Sequence, residues 1–470
     1  MAPASGVAAV PPGEPTIVPD HGRRRCVLAE NPADLGATMS RVGSTWRTLE
    51  HVPDTPFGFA LPGGQPPDPN DPQQMQQFLA GLQQLMAAAQ TGGGGPVNWD
   101  LARQVATSAL AAEGDPAVTA AERAEVGEAL RLADLWLEPT TALPSGVITT
   151  AAWNRNEWIY NTMDVWRKLA DPVAARMVAA MGDLVPPEAR AQLGAMSTMI
   201  TALGGALFGG QFGQALAKLA TEVLSAGDIG LPLGPAGTAA LIPANIKGYR
   251  EGLELDPEEV RLFVALREAA HQRLFGHVPW LRGHVLTAVE AYARGIRVDR
   301  EAIEEAMRRI DPSDPETMRE IQLEGIFAQE DTEQQRAALN RLETTLALVE
   351  GWVVHVVETA AEGRLPNVAK LSEAFRRRRA AGGPAESTFA ALVGLELRPR
   401  RLREAAALWT ALTEHRGTGG RDALWGHPDL LPSDEDFADP ERFAQSQLDL
   451  GALEGFEDLE KGEPGEGQPT

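Results

Sequence analysis

Residues 256–275 restrict the possible fold more than any other segment of this chain. The segment opens with Asp-Pro-Glu-Glu, the pattern of a helix N-cap with proline at the first helical position and an acid in the first turn. A largely apolar run follows until Gly276, and Pro279 cannot continue a helix. The sequence therefore predicts a helix over residues 257–275.

A second long helix is predicted over residues 333–361. Thr332 and Gln335 match a capping box at its start, and Gly363 and Pro366 mark its end. Few runs anywhere alternate between apolar and polar residues, as half-buried strands would. We therefore expect a mainly α fold with little β structure and disordered termini.

Composition shifts divide the sequence into five segments. We predict a disordered N-terminal extension over residues 1–55, a Pro-rich linker with a docking helix over 56–96, an N-terminal helical domain over 97–250, a second helical domain over 251–432, and an acidic, largely disordered tail over 433–470. Helical patterns are expected at about 99–113, 119–137 and 150–169. The segment 227–248 is broken by Gly and Pro and leaves room for a short strand.

The net charge of −23 is unevenly distributed. Residues 433–470 hold 12 acidic and two basic side chains, whereas residues 364–403 hold 10 basic and three acidic ones. An acidic chain is repelled by phosphates, so neither nucleic acid nor a membrane is expected as a partner. The basic segment leaves open a local patch for an acidic ligand, and one form of this patch would bind the acidic tail.

The uncharged segment 191–217 is long enough to span a bilayer. Its six glycines and its lack of basic or aromatic anchors favour a buried helix instead. Gly205, Gly209 and Gly213 recur every four residues, which lets another helix approach closely. With the single cysteine Cys26 and no recognisable export signal, we expect a cytoplasmic location.

Within the predicted helix 257–275, residues 267–271 read Arg-Glu-Ala-Ala-His, one residue away from H-E-x-x-H. In that motif two histidines four residues apart bind Zn²⁺ from one helix face, and the glutamate activates the bound water. Glu268 and His271 have the required spacing. Arg267 replaces the first metal ligand, and a guanidinium has no lone pair to give. The alternative is that Glu268 and His271 form an ordinary polar pair on a helix.

A zinc site of this kind needs a further protein ligand, commonly a glutamate on a downstream helix. The predicted helix 333–361 supplies Glu350 within an apolar stretch, where an unpaired carboxylate is costly and must find a cation or a metal. His355 lies five residues further on, about 140° round the helix, so it is the weaker candidate ligand. We therefore prefer Glu350 as the inward group.

These residues belong to a longer set of segments that resembles the actinobacterial zincin-like hydrolases, also called zinc-dependent metalloproteases. The resemblance covers about residues 97–445 and includes LREAAHQRLF (266–275), VPWLR (278–282), EGWV (350–353), RRRRAAGGPAE (376–386), LVGLELRPRRLR (392–403) and RDALWGHPDLL (421–431). A branch associated with deazaflavin-cofactor genes is similar more distantly and looks closer to an intact H-E-x-x-H.

The resemblance implies a zincin-like helical fold over residues 251–432. It further implies Glu268 as general base, His271 and Glu350 as zinc ligands, and a peptide or protein as substrate. Because Arg267 departs from the zincin pattern, the site would be weak or inactive. The alternative is a pseudoenzyme that binds a peptide or protein without cleaving it. We hypothesise that Arg267 bridges to Glu268 or Glu350 and supplies the positive charge that a metal would give.

Overall fold

The computed structural model describes residues 95–182, 194–295, 332–380 and 401–446. The predictions for residues 1–55, for most of 56–96 and for the tail beyond residue 446 lie outside these ranges. The elements are α1 (Trp99–Glu113), α2 (Ala120–Leu137), β1 (Thr149–Ala152), α3 (Arg155–Gly182), α4 (Gly194–Ala220), β2 (Thr238–Leu241), α5 (Pro243–Arg250), α6 (Pro257–His277), α7 (Pro279–Arg294), α8 (Glu333–Ala361), α9 (Val368–Ala380), α10 (Leu402–Asp422) and α11 (Pro440–Gln445), with short 3₁₀ turns between some of them.

The described part of the chain is mainly helical, as the sequence predicts. Asp256 caps α6, and its Oδ1 accepts from the backbone N–H of Glu258 at 2.8 Å. At the start of α8, Thr332 and Gln335 form the predicted capping box. These caps satisfy N–H groups that have no partner within the first turn, so they fix where each helix begins.

One local prediction was wrong, because residues 149–152 form a strand and the helix that follows begins only at Arg155. β1 pairs in parallel with β2, and Thr149 lies opposite Thr238. The segment 224–226 pairs with the other edge of β2: Ala226 N–H donates to the carbonyl of Ala240 at 2.9 Å. This pairing holds the loop after residue 226 beside α6.

Helix α6 lies at the centre of the fold, in contact with α2, α8, α9 and β2. Every residue from Leu262 to Leu274 is buried, including polar side chains on all of its faces. On one side Gly146 lies so close that a Cβ there would stand 2.0 Å from the carbonyl oxygen of Gln272. The helix that carries the candidate site is therefore enclosed by described residues rather than lying along an open cleft.

The glycine stripe of α4 has the packing role that the sequence predicts. A Cβ on Gly209 would lie 2.4 Å from the carbonyl oxygen of Asn98, and one on Gly213 would lie 2.4 Å from that of Ala102. Helix α1 therefore packs with its backbone against the glycine face of α4. Within the described ranges, no helix combines the length and the apolar character needed to cross a membrane.

Asp422 joins the end of α10 to the segment that follows α2. Its Oδ2 accepts from Thr141 Oγ1 at 2.6 Å and from the N–H of Ala142 at 2.7 Å. Its Oδ1 accepts from Trp352 Nε1 at 2.8 Å and from Arg421 Nε at 2.7 Å. All of these groups except Ala142 are buried, and Thr141 and Asp422 are 281 residues apart in sequence. One carboxylate thus links three parts of the chain that are distant in sequence.

Candidate functional site

The candidate residues of α6 point in two directions. Arg267 and His271 are four residues apart, so they share a helix face, and both reach Glu350 of α8. Glu268 is turned about 100° away, towards the segment that precedes β2. All four side chains are buried, and Glu268 is completely enclosed, with 0% exposure. The structure therefore brings three of the candidates together and sets Glu268 beside them on the next face.

Glu350 is bound through both carboxylate oxygens. Arg267 Nη2 donates to Oε2 at 2.7 Å, and Arg379 Nη2 donates to Oε1 at 2.9 Å. His271 Nε2 lies 2.9 Å from the same Oε1. Burial would by itself raise the pKa of Glu350, but Arg379, Arg267 and His271 outweigh it and hold that pKa well below its usual range. Glu350 is therefore an ionised carboxylate between two guanidinium groups.

The state of His271 follows from its partner. An ionised carboxylate can only accept, so Nε2 of His271 carries a proton that it donates to Glu350. Among the described residues, Nδ1 is buried without a hydrogen-bond partner. The ring stacks on Phe275 with centroids 5.6 Å apart. His271 is thus oriented by one polar contact and one aromatic contact.

A second ion pair supports the first. Arg378, which precedes Arg379 in α9, donates from Nη1 to both oxygens of Asp228, at 2.9 and 3.2 Å. Arg379 Nη2 also donates to the backbone carbonyl of Asp228. Burial would raise the pKa of Asp228, but Arg378, Arg379 and the N–H of Leu224 lower it. The C-terminal turn of α9 is therefore fixed to the loop after residue 226 as well as to Glu350.

Glu268 is surrounded by donors. Its Oε2 accepts from the N–H of Gly227 at 2.8 Å, and its Oε1 accepts from Gln272 Nε2 at 3.0 Å. Burial raises the pKa of this carboxyl, and the opposing effects of His271, Gly227, Ser225 and Gln272 are smaller. Glu268 is consequently a carboxyl group with a raised pKa, and both of its oxygens already accept hydrogen bonds.

Two glycines give the site its close contacts. A Cβ on Gly227 would lie 3.1 Å from Oε2 of Glu268, and one on Gly230 would lie 2.7 Å from Oε1 of Glu350. Gly230 also has a φ of +79°, a conformation that other residues rarely adopt. Glycine is therefore required at position 230, whereas a side chain at position 227 would need Glu268 or His271 to shift by a few tenths of an ångström.

His355 lies on a different side of α8. Its Nδ1 is 3.2 Å from Thr410 Oγ1 and its Nε2 is 2.9 Å from Thr413 Oγ1, both on α10. Burial, with a further effect from Arg421, lowers the pKa of His355 to about 4. The structure does not bring His355 to Glu350.

Sequence reasoning missed Arg379, Asp228 and the two glycines. In the sequence, residues 376–379 belong to the basic segment 364–403, for which a patch for an acidic ligand is left open, and four consecutive arginines do not indicate which of them is buried. The available signal was the apolar spacing of α9: Leu371 and Phe375 are buried, so a position four residues further, Arg379, shares their face.

We expect a pH-dependent difference between the wild-type protein and Glu268→Gln. The pKa of Glu268 is higher in the folded protein than in the unfolded chain, so its protonation stabilises the fold below the ordinary pKa of 4.5. This contribution to stability is lost as the pH rises through the folded-state pKa of Glu268. Wild-type melting temperature should therefore fall relative to that of the variant as the pH rises above the ordinary carboxyl pKa of 4.5. Glu128→Gln, at an exposed position of α2, is the control. A constant difference between wild type and Glu268→Gln would contradict the prediction.

The donor set at Glu350 does not fit zinc. Each carboxylate oxygen already accepts from an arginine, and a zinc ion on these oxygens would stand beside two guanidinium cations. His271 provides one nitrogen, and no described group of three His, Cys, Asp or Glu side chains is arranged to hold a metal ion. His271 and Glu350 are in contact with each other, which leaves no metal position between them in this arrangement.

Comparisons with known proteins agree with this architecture. A crystal structure from Chloroflexus aurantiacus, described as "a putative hydrolase with a novel fold", is similar in fold to this chain. The likeness covers 74% of this chain and 97% of that one, with a TM-score of 0.52 and 21% sequence identity. No curated protein matches the sequence. The family model for the zincin-like metallopeptidases matches residues 97–444, which is most of the chain. The chain therefore belongs to the zincin-like metallopeptidase family.

Proposed function

We propose that this protein is a non-hydrolytic member of its family that binds a peptide or protein without cleaving it. The proposal rests on one observation: Glu350 forms ion pairs with both Arg267 and Arg379. In a zincin, a metal would supply positive charge beside this carboxylate. Here two guanidinium groups supply it, and they offer no open coordination position for water or substrate.

The placement of Glu268 supports the same proposal. A general base must come within hydrogen-bond reach of the water or proton on which it acts. Glu268 has no exposed surface, and Gly227 and Gln272 occupy its oxygens. Helix α6 is enclosed by α2, α8, α9 and β2 within the described ranges. A substrate carbonyl would have to displace one of these elements to reach Glu268.

A peptide or protein ligand is the partner class that the family relationship favours, because metallopeptidases bind extended chains before they cleave them. A family member without the metal loses the cleavage step but keeps the surface that binds the extended chain. The competing hydrolytic role would use Glu268 as general base, with His271 and Glu350 as zinc ligands. That role requires Arg267 and Arg379 to leave Glu350.

Zinc content separates the two roles. We expect the wild-type protein, purified without a chelator or a His-tag, to contain far less than one zinc ion per chain. The variant Arg267→His/Arg379→Met should bind about one, because it supplies histidines four residues apart and frees Glu350. Zinc is measured by inductively coupled plasma mass spectrometry.

The matched control is Arg377→His, which adds a histidine at an exposed position of the same arginine run. It should remain free of zinc. About one zinc ion per wild-type chain would overturn the proposal and would make peptidase assays the next step. If the double variant folds but binds no zinc, residues other than Arg267 and Arg379 also prevent metal binding.

A further inference from the structure

We propose that Glu222 is a proton-controlled switch for the C-terminal turn of α9, which we call the arginine turn (residues 376–379). With a proton on Glu222 the arginine turn stays against the loop 222–230, and loss of that proton loosens it. The inference rests on contacts beside the candidate site and does not depend on the proposed binding function.

Glu222 lies where the arginine turn meets this loop. Arg378 Nη2 donates to the backbone carbonyl of Glu222 at 2.6 Å, and its Nη1 donates to both carboxylate oxygens of Asp228. Arg379 Nη2 donates to the backbone carbonyl of Asp228. The arginine turn is therefore attached to both ends of the short segment 222–228, and Glu222 forms one of these attachments.

The carboxyl group of Glu222 lacks a partner in this arrangement. The residue is half-buried, and its Oε2 is buried with no hydrogen-bond partner among the described residues. Both terminal nitrogens of Arg378 are already engaged, one by Asp228 and the other by the carbonyl of Glu222. An ionised oxygen without water or a donor is costly, and a protonated carboxyl group costs less. The contacts therefore favour the neutral form of Glu222 while the turn is in place.

The charges around Glu222 do not offset this cost. Burial raises the pKa of Glu222 to about 7, and the carboxylate of Asp228 adds to the rise. Lys218 and Arg378 act in the opposite direction, but Lys218 is exposed on α4 and Arg378 is paired with Asp228. Glu222 therefore changes its charge close to neutral pH.

Two neighbouring titratable groups keep their charge over this range. Although burial would raise the pKa of Asp228, Arg378 and Arg379 hold it below its usual range, so Asp228 stays ionised. Tyr249 of α5 contacts the same arginine, with Arg378 Cζ 5.8 Å from its ring centroid. Burial raises the pKa of Tyr249 to about 12, so its hydroxyl stays neutral. In this described cluster, Glu222 is thus the group that titrates near neutral pH.

Loss of the proton favours release of the arginine turn. Release exposes Glu222 to water, where its pKa returns towards the ordinary value of 4.5. Above pH 4.5 the released form therefore loses its proton more readily, and rising pH favours release until the folded-state pKa of about 7 has been passed. Because Arg379 pairs with Glu350, a loosened turn also weakens one of the two arginine contacts at the candidate site.

Hydrogen exchange followed by mass spectrometry tests this switch. After correction for the intrinsic pH dependence of exchange, the opening constant of the loop 222–230 and of the arginine turn should rise more than about tenfold between about pH 5 and about pH 7, and then level off. Peptides from α10 should change much less. A flat profile in the wild-type protein overturns the proposal. A rise of the same size in α10 also overturns it, because it would indicate a global loss of stability.

A variant isolates the titrating group. Glu222→Gln keeps the shape of the side chain but has no proton to lose, so most of the rise should disappear. Glu362→Gln, at an exposed position after the end of α8, is the matched control and should keep the wild-type rise. The same rise in Glu222→Gln as in the wild type would refute the switch. Should Glu222→Gln fail to fold, Glu222→Met, with an uncharged side chain of similar length, gives the same comparison.

The two proposals fail separately. Zinc in the wild-type protein overturns the non-hydrolytic function whatever the exchange profile is. A flat exchange profile removes the switch and leaves the ion pairs of Glu350 with Arg267 and Arg379 unchanged.

Discussion

Replacing Glu350 by leucine is expected to destabilise the fold by about 3–5 kcal/mol. The substitution leaves Arg267 and Arg379 without their shared carboxylate. Both guanidinium groups lie in a region from which water is largely excluded, so neither can recover its hydration. A loss of stability of this size arises mainly because two buried guanidinium groups are left without a counter-charge, and less from the loss of their attraction to Glu350. Urea unfolding followed by tryptophan fluorescence measures it.

Two further variants separate the charge effect from packing. Glu358→Gln removes a carboxylate that is 41% exposed on the same helix, and we expect a change within about 0.5 kcal/mol. The triple variant Arg267→Met/Glu350→Leu/Arg379→Met removes the stranded charges and should recover most of the loss, since apolar replacement of a buried ion pair is often neutral or better. A Glu350→Leu protein within about 1 kcal/mol of wild type would contradict the proposed electrostatic role of this cluster.

Asp422→Ala should be about as damaging, with a loss of about 3–5 kcal/mol. Burial would raise the pKa of Asp422, but Arg421, Thr141 and Trp352 lower it, so the group is ionised and satisfied in the folded protein. Removing it leaves the guanidinium of Arg421, which is 1% exposed, without its carboxylate. It also leaves the indole N–H of Trp352 unpaired in the core.

The same urea measurement tests Asp422→Ala. Asp429→Ala removes an aspartate whose side chain is 84% exposed in the following 3₁₀ turn, and it should change stability by less than about 0.5 kcal/mol. Equal effects of the two substitutions would show that Asp422 does not link the domain. An Asp422→Ala protein that does not express in folded form agrees with the prediction only if Asp429→Ala expresses normally.

Helix positions were the most predictable part of this fold because caps are local. Asp256 and Thr332 are each followed within three residues by the groups they bind, so the starts of α6 and α8 could be predicted from short segments. The strand at 149–152 could not. It is four residues long, and what makes it a strand is its pairing with residues 238–241, which no local pattern reveals.

The candidate site was predictable in part for a similar reason. Glu350 was chosen because a carboxylate in an apolar stretch needs a cation, and the structure places Arg267 and Arg379 there. Arg267 could be identified because it interrupts a motif of fixed spacing. Arg379 could not be distinguished from its three arginine neighbours, because its burial depends on how α9 packs against α6 and α8. The metal-binding roles of His271 and Glu350 remain predictions.

The link between Thr141 and Asp422 has a consequence for the order of events during synthesis. A contact that spans 281 residues cannot form until nearly the whole domain has left the ribosome. Until then the hydrophobic core that α2 and α6 share with α10 is incomplete. We therefore expect nascent chains to expose apolar helix faces until α10 has been synthesised, and we expect folding to be slower than that of bundles built from sequence neighbours.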